Sequence, residues 1–241
     1  MRKKLITTFL LICLWQVASL LINKEVILPL PIHVFSRMIE LAVHQSFYIA
    51  IFSTLGRIAL SFIIAMIIGT LLGILSGLYK SLREFLYPMI TLLQTIPQIG
   101  YILVLIVWFD SFTALIIIIL LMILPVFYNN AVNGILNIDQ ELQDVICLYH
   151  HGFFYNLTKV YIPLIQGYMI SAIETCLPLS FKVGVMAEIF ASSSQGIGKQ
   201  LYYARVQIDM VSIFAWIIWM VIMSVCITNL IKRLLNKIKS Y

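Results

Sequence analysis

Long apolar runs separated by short polar segments make up most of this 241-residue chain. A transmembrane helix needs about 20 predominantly apolar residues, and its backbone groups must bond to one another because hydrocarbon offers no partners. Six runs have this character: Leu5–Ile22, Phe47–Leu78, Phe85–Phe109, Thr113–Val132, Pro163–Phe190 and Val211–Ile231. The pattern therefore predicts an all-α integral membrane protein with six transmembrane helices, the first in residues 1–27 and the others in a core of residues 28–241.

Composition agrees with an embedded chain. Hydrophobic residues make up 62% of the sequence and charged residues 11%, and the mean hydropathy is +1.02, whereas a soluble domain carries about 25% charged residues. The opening MRKKLITTFLLICLWQVASLL also has the basic head and apolar run of a secretory signal peptide. We favour an uncleaved helix, because Gln16 stands three positions before a cut after Ala18, where a small residue is needed.

The distribution of the 16 Lys and Arg residues predicts the orientation, because positive charge in short loops stays on the cytoplasmic side. With both termini cytoplasmic, ten of these residues fall in inner segments and four in outer segments, while Arg57 and Lys182 fall within spans. The formal net charge of +6 then reflects this topology and attraction to anionic membrane lipid, rather than nucleic-acid binding.

An amphipathic segment on the predicted inner side, DQELQDVICLYHHGFFYNLTKVYIPL (139–164), interrupts the apolar runs. Helical spacing places four apolar residues on one face, opposite Glu141 and Asp144: Leu142, Val145, Ile146 and Tyr149. Helices that lie on a membrane surface normally carry Lys and Arg, but this one is acidic. It is therefore predicted to dock on another protein rather than on lipid.

This segment resembles the cytoplasmic coupling loop of ABC importer permeases, whose usual form is Glu-Ala-Ala, a Gly four residues later, and a Leu-Pro further on. Counting back from Ile162 and Pro163 places residues 144–146 (DVI) on the triplet and His150 on the Gly, with Gly152 two positions beyond. Four more segments are similar, in order and spacing, to the nitrate, sulfonate and taurine permease branch, which also serves heterocyclic vitamin precursors: LPLP (28–31), LLQTIPQIGYILVLIVWF (92–109), SFKVGVMAE (180–188) and SSSQGIGKQLYYA (192–204).

The resemblance implies a type I ABC importer permease in the cytoplasmic membrane of a prokaryote, with its core at 28–241 and its coupling loop at 139–163. It implies a second permease copy, ATP-binding subunits that hold ATP and Mg, and an extracellular or lipid-anchored binding protein that delivers a small anionic or heterocyclic solute and docks near SSSQGIG. The coupling residues it implies are Glu141, Leu142, Asp144, Val145, Ile146, Tyr149, His150, Gly152 and Pro163.

No G-x-x-x-x-G-K-[ST] phosphate loop occurs in the sequence, so neither ATP hydrolysis nor a cofactor is expected on this chain. A membrane-embedded enzyme is not favoured either, since H-E-x-x-H and G-x-S-x-G motifs do not occur. No metal site is predicted, because the adjacent His150 and His151 would diverge by about 100 degrees on a helix. Two alternatives stay open: a vitamin-type importer with a membrane-bound substrate component, and a non-transporting membrane scaffold.

Six residues are candidates for the solute pathway: Gln94, Pro97, Gln98, Lys182, Met186 and Glu188. The proline lacks an N–H and predicts a kink in the third span, where freed backbone groups and the two flanking amides could face a cavity. Charged residues in the fifth span need a partner from another helix, such as Arg57, or contact with the solute.

Three glycines of the second span share one helix face: Gly69, Gly73 and Gly77. Their spacing at i, i+4 and i+8 lets a neighbouring backbone approach closely. The interpretation we favour is helix packing within one subunit, and a dimer seam is the alternative.

Overall fold

The computed structural model describes residues 2–148, 152–191 and 193–239. Over these ranges the chain forms helices and no strand, in this order: α1 (Arg2–Ile22), α2 (Pro31–Val43), α3 (Gln45–Leu78), α4 (Lys80–Thr95), α5 (Gln98–Trp108), α6 (Ser111–Leu136), α7 (Gln140–Leu148), α8 (Phe153–Asn156), a π-helical turn (Leu157–Tyr161), α9 (Ile162–Leu164), α10 (Gln166–Phe190), α11 (Ile197–Val206) and α12 (Met210–Lys239). The all-α class is confirmed for the described residues.

Four helices are each long and apolar enough to cross a membrane: α3, α6, α10 and α12. Helices α4 and α5 meet the same test together, as a pair bent by 97° at the break between them. The apolar part described for α1, Phe9–Ile22, is shorter than a full span. Length and composition thus confirm four or five spans, and the sixth, at the N-terminus, stays a prediction.

The third span differs from its predicted form. The sequence predicted one kinked helix over Phe85–Phe109, but the structure breaks it into α4 and α5. Pro97 has no N–H to continue the helix, and the residue before it, Ile96, is extended with ψ of 128°. The hydroxyl of Tyr101 donates to the carbonyl oxygen of Leu93 at 2.6 Å, which gives the end of α4 a partner that the backbone no longer supplies.

Helices α3 and α6 pack together at the centre of the fold through the three glycines of α3. A Cβ atom added at Gly73 would lie 2.6 Å from the Cβ of Ala131 and 2.6 Å from the carbonyl oxygen of Tyr128, so the two backbones are already in contact. Gly69 and Gly77 face α6 in the same way. The glycine face therefore serves packing within one subunit, as favoured above, and is not open to a second copy.

The start of α6 is set by Asp110, whose carboxylate accepts hydrogen bonds from the backbone N–H groups of Phe112 at 3.0 Å and Thr113 at 3.2 Å. Hydrogen bonding by Thr113, through its side chain and its backbone, lowers the pKa of Asp110. The ionised cap thus persists over the physiological pH range and fixes where this span begins.

The remaining helices are attached around this pair. Helix α10 packs on α6 within the largest apolar core, and α2 packs on α12, where Trp219 donates to the carbonyl oxygen of Met38 at 3.2 Å. Helix α1 is tied to the segment after it by two hydrogen bonds, Trp15 to the carbonyl of Pro29 and Ser19 to the carbonyl of Leu28. Most of its large apolar side chains are exposed, as expected for a helix that faces lipid.

A pair of glycine substitutions on α3 tests the α3–α6 packing. We expect Gly73→Ala to lower the free energy of unfolding by about 1–3 kcal/mol, because the added methyl group would overlap α6. Gly56→Ala, on the same helix, has nothing within 4 Å of the added Cβ and should be neutral or slightly stabilising. Thermal unfolding of both purified variants in one detergent gives the comparison, and equal transition temperatures would contradict the proposed contact.

Candidate functional site

Helix α7 forms where the amphipathic pattern predicted a helix, and it displays its apolar face. Leu142 is 38% exposed and Val145 is 46% exposed, and the acidic side chains of Glu141 and Asp144 are also exposed. A solvent-exposed face of this kind is unfavourable for an isolated chain unless a partner covers it. The predicted residues Tyr149 and His150 lie outside the described residues.

One side of α7 meets the ends of α3 and α6 across a cavity of about 200 Å³. Gln143 and Ile146 line this cavity from α7, and Gly77, Leu78 and Ile135 line it from the α3–α6 pair. Ile146 is half-buried, in contrast to the exposed residues on the other face. Helix α7 therefore has one face toward the bundle and one face open.

The chain after α7 is anchored back onto α6. Leu157, in the π-helical turn, is 7% exposed and packs in a core cluster with Ile135 of α6 and with Ile165. Ile165 is fully buried and packs so tightly on Gly134 that an added Cβ there would lie 2.8 Å from its Cγ2 atom. Gly152 and Pro163, both predicted coupling residues, are exposed along this return segment. The segment is thus joined to the bundle at both ends and exposed between them.

The candidate residues of the third span lie at the break between α4 and α5. Pro97 is the residue before α5, Gln94 is exposed on the last turn of α4, and Gln98 is half-buried at the start of α5. The two amides therefore flank an irregular backbone segment, as the sequence predicted. Irregular backbone at membrane depth is tolerated where it faces protein or a water-filled cavity.

A buried ion pair joins α3 to α10 and holds the loop between α10 and α11. The carboxylate of Glu188, which is 2% exposed, lies 2.5 Å from the guanidinium of Arg57 and accepts hydrogen bonds from the hydroxyl of Thr54 at 3.0 Å and the N–H of Gly198 at 2.8 Å. The same guanidinium donates to the carbonyl oxygen of Gln195 at 2.6 Å. The predicted inter-helix ion pair with Arg57 is confirmed, and its acidic partner is Glu188.

Two glycines allow the loop to approach this ion pair. Gly196 has φ of +144°, and a Cβ atom there would lie 2.5 Å from the carboxylate of Glu188. A Cβ at Gly198 would lie 2.3 Å from the Cβ of Glu188. A side chain at either position would overlap the carboxyl residue, which is why the sequence reads QGIG at this turn. Glu188 therefore holds the loop in place and has no face open to a solute.

The other candidates of the fifth span face an open groove between α10 and α12. Lys182 is exposed and Met186 is half-buried, and both line this groove. Glu174, two turns before Lys182, pairs with Lys232 of α12 at 3.1 Å, so its expected partner from another helix is present. Arg205 of α11 also lines the groove, although the sequence showed only that it lies in an outer segment.

Substitutions in the buried ion pair test its role as the anchor of the loop. Arg57→Met should lower the free energy of unfolding by about 3–5 kcal/mol, because it leaves the charge of Glu188 buried without its cation. The double variant Arg57→Met with Glu188→Met should recover a large part of that loss, since neither charge is then left unpaired. Thermal unfolding in detergent measures both, and a double variant no more stable than the single one would contradict the pairing.

Comparison with known proteins places these features in a family. Residues 69–240 match the family of the inner membrane component of binding-protein-dependent transport systems. A Bacillus subtilis (strain 168) permease named for aliphatic sulfonate transport, SsuC, is 27% identical over 219 residues, which cover 90% of this chain and 79% of that relative. The formylaminopyrimidine transport permease protein ThiX of Halalkalibacterium halodurans is 23% identical over 237 residues, 94% of this chain and 90% of the relative.

The matched region includes α7, the α10–α12 groove and the loop between α10 and α11, and it spans more than two thirds of the chain. Proteins of this family are multi-pass components of the prokaryotic cytoplasmic membrane, and membership implies an ATP-binding subunit and a substrate-binding protein as partners. The chain belongs to the family of inner membrane components of binding-protein-dependent transport systems, the permease subunits of ABC importers.

Proposed function

We propose that two copies of this chain form the membrane pathway of an ATP-driven importer, and that α7 receives the movement of the ATP-binding subunit. An extracellular or lipid-anchored binding protein delivers the solute at the face that carries the clamped loop, residues 193–198. In this arrangement α1 is the sixth span, both termini are cytoplasmic, and α7 lies on the cytoplasmic side. The excess of Lys and Arg in the inner segments supports this orientation.

The observation that carries this proposal is the open face of α7, which combines exposed apolar side chains with exposed carboxylates. Anionic lipid would repel Glu141 and Asp144, whereas a groove on a protein can bury Leu142 and Val145 and pair the carboxylates with cations. The register that places Asp144 on the acidic position of the coupling triplet agrees with this assignment. Protein docking is therefore the better explanation of this face.

The contacts of α7 also suit a part that transmits motion. Ile146 and Gln143 face the ends of α3 and α6 across a cavity, and Leu157 and Ile165 anchor the return segment after α7 on α6. A displacement of α7 therefore acts on the central helix pair rather than on a separate loop. ATP-driven closure of the partner subunits would in this way shift the helices between inward-open and outward-open arrangements.

The solute class follows from the pathway candidates and from the relatives. One relative is named for aliphatic sulfonates and the other for formylaminopyrimidine, so small organic anions and heterocycles are the two classes to consider. Gln94, Pro97 and Gln98, at the break of the third span, and Lys182 and Met186, in the α10–α12 groove, are the proposed pathway residues. The amides suit polar groups of a solute, and the lysine favours an anion.

The coupling role is tested with a charge reversal on α7. We expect Asp144→Lys to reduce recovery of the ATP-binding subunit with the permease by at least about tenfold, because it inverts a charge at the centre of the docking face. The measurement is affinity purification of the tagged chain from its own membranes in mild detergent, followed by mass spectrometry. The wild-type chain should retain a protein that carries a G-x-x-x-x-G-K-[ST] loop in near-equal amount.

Glu84→Lys is the matched control for this experiment. Glu84 is also exposed and pairs with Lys80 on its own helix, at 3.8 Å, so its reversal should leave recovery of the ATP-binding subunit close to that of the wild type. Full recovery with Asp144→Lys, or no such subunit with the wild type, would contradict the coupling role and favour a non-transporting scaffold.

A further inference from the structure

Lys182 places a positive charge deep within α10, one of the helices long and apolar enough to cross a membrane. The residue lies eight positions before the end of the helix at Phe190, about 12 Å along the axis, so it sits deep in the predicted span. Its side chain is nevertheless exposed. A charged group at this depth faces water, another protein chain or a ligand, because hydrocarbon is a poor environment for it.

The carboxylates of the described spanning helices are paired with cations other than Lys182. The four helices that qualify singly as spans carry two acidic residues, Glu174 and Glu188. Glu188 is buried against Arg57, and Glu174 pairs with Lys232. A second copy of the same chain would bring the same two groups, which are already engaged. No ion pair to Lys182 forms within the part of the chain that the structure describes, so its charge is free to bind an anion.

The residues around Lys182 indicate the chemical class of an anion that would bind there. The α10–α12 groove has a volume of about 350 Å³ and contains a second cation, Arg205, which has no carboxylate partner among the described residues. Its walls are apolar and include Met186, Ile189, Ile217 and Met220. A second cavity of about 250 Å³ continues past Lys182 and Met220 toward Ser224. The groove thus combines two free cations with an adaptable apolar lining.

We propose that the α10–α12 groove binds a small organic anion with an apolar body, whose charged group is held by Lys182 and Arg205 while its body lies against the methionine and isoleucine walls. This inference rests on the proposed function, since it assigns the groove to the solute pathway. It also distinguishes between the two solute classes, because a neutral heterocycle would leave both cations without a counter-charge. An anionic lipid also combines a negative charge with an apolar body, and the experiment distinguishes the lipid from a solute.

The test is direct binding to the full-length permease in nanodiscs of phosphatidylcholine, measured by isothermal titration calorimetry. The probes are butanesulfonate and hexanesulfonate, with hexanol and inorganic sulfate as partial ligands. We expect hexanesulfonate to bind more tightly than butanesulfonate, by up to about fourfold per methylene group. Hexanol, which lacks the charge, and sulfate, which lacks the apolar body, should each bind at least tenfold more weakly than hexanesulfonate.

Three variants connect this binding to the groove. Lys182→Gln and Arg205→Gln should each weaken hexanesulfonate binding about tenfold, and Lys182→Arg should restore most of the affinity because it keeps the charge. Lys199→Gln is the matched control, since Lys199 is a half-buried cation on the same helix as Arg205 that donates to the carbonyl oxygen of Ser194 and does not line the groove. Lys182 and Arg205 are exposed and Lys199 is half-buried, so the variants should fold, which elution as a single species on size-exclusion chromatography verifies.

Three results would overturn the proposal: wild-type affinity in both Gln variants, equal binding of hexanol and hexanesulfonate, or the same loss with Lys199→Gln. Nanodiscs that contain phosphatidylglycerol identify the source of the anion. If the affinity for hexanesulfonate is unchanged in these nanodiscs, the groove binds the solute. If phosphatidylglycerol lowers that affinity, and the effect disappears with Lys182→Gln, the groove binds lipid and the solute assignment is overturned. The binding requires neither ATP nor the ATP-binding subunit, so its failure would leave the Asp144 result, and the proposed function, intact.

Discussion

Neutralisation of charge within the hydrocarbon region is the constraint on which the arrangement of these helices depends. Helix α10 carries three charged residues, and two of them tie it to different helices: Glu188 to Arg57 of α3, and Glu174 to Lys232 of α12. A buried ion pair contributes little net stability compared with apolar packing, but the loss of one partner is costly. The buried Arg57–Glu188 pair therefore fixes α3 and α10 as neighbours and sets their register, whereas the partly exposed Glu174–Lys232 pair adds little and the apolar cores supply most of the stabilisation.

The ion pair with Glu188 also explains how an outer loop rich in small residues has a definite conformation. The backbone of this loop forms hydrogen bonds with the side chains of Glu188, Thr54 and Arg57. Glycines at 196 and 198 leave room for the loop to come within hydrogen-bond distance of these side chains. The same helix α3 that supplies Thr54 and Arg57 ends at Gly77 and Leu78, beside α7. Those two ends are separated by about 30 Å of continuous helix. One rigid element thus connects the surface proposed for coupling with the surface proposed for the binding protein.

Much of this organisation was predictable from the sequence, because hydrophobic periodicity and glycine spacing act locally. Residue spacing predicts the amphipathic helix over the DVI triplet and the close packing of the Gly69–Gly77 face. The cost of buried charge predicts that Arg57 takes part in an ion pair. At Pro97 the sequence predicts a kink, whereas the structure has a break of 97°. A proline can either kink a helix or end it, and the outcome depends on hydrogen-bond partners such as Tyr101. The place of Arg205 beside Lys182 is set by how α11 folds back on α10 and α12, which no local pattern encodes.

The open face of α7 explains two residues that differ from the usual coupling motif. Val145 and Ile146 stand where the family has two alanines, and the structure gives them different surroundings: Val145 is exposed, whereas Ile146 lines the cavity next to α3 and α6. A residue larger than alanine at 146 extends further toward α3 and α6. The movement of α7 is then coupled more closely to the movement of these two helices. A larger residue at 145 requires a deeper groove on the partner, because a surface shaped for alanine would overlap its side chain. Under the proposed function, a triplet with valine at 145 therefore selects for an ATP-binding subunit whose docking groove is matched to valine.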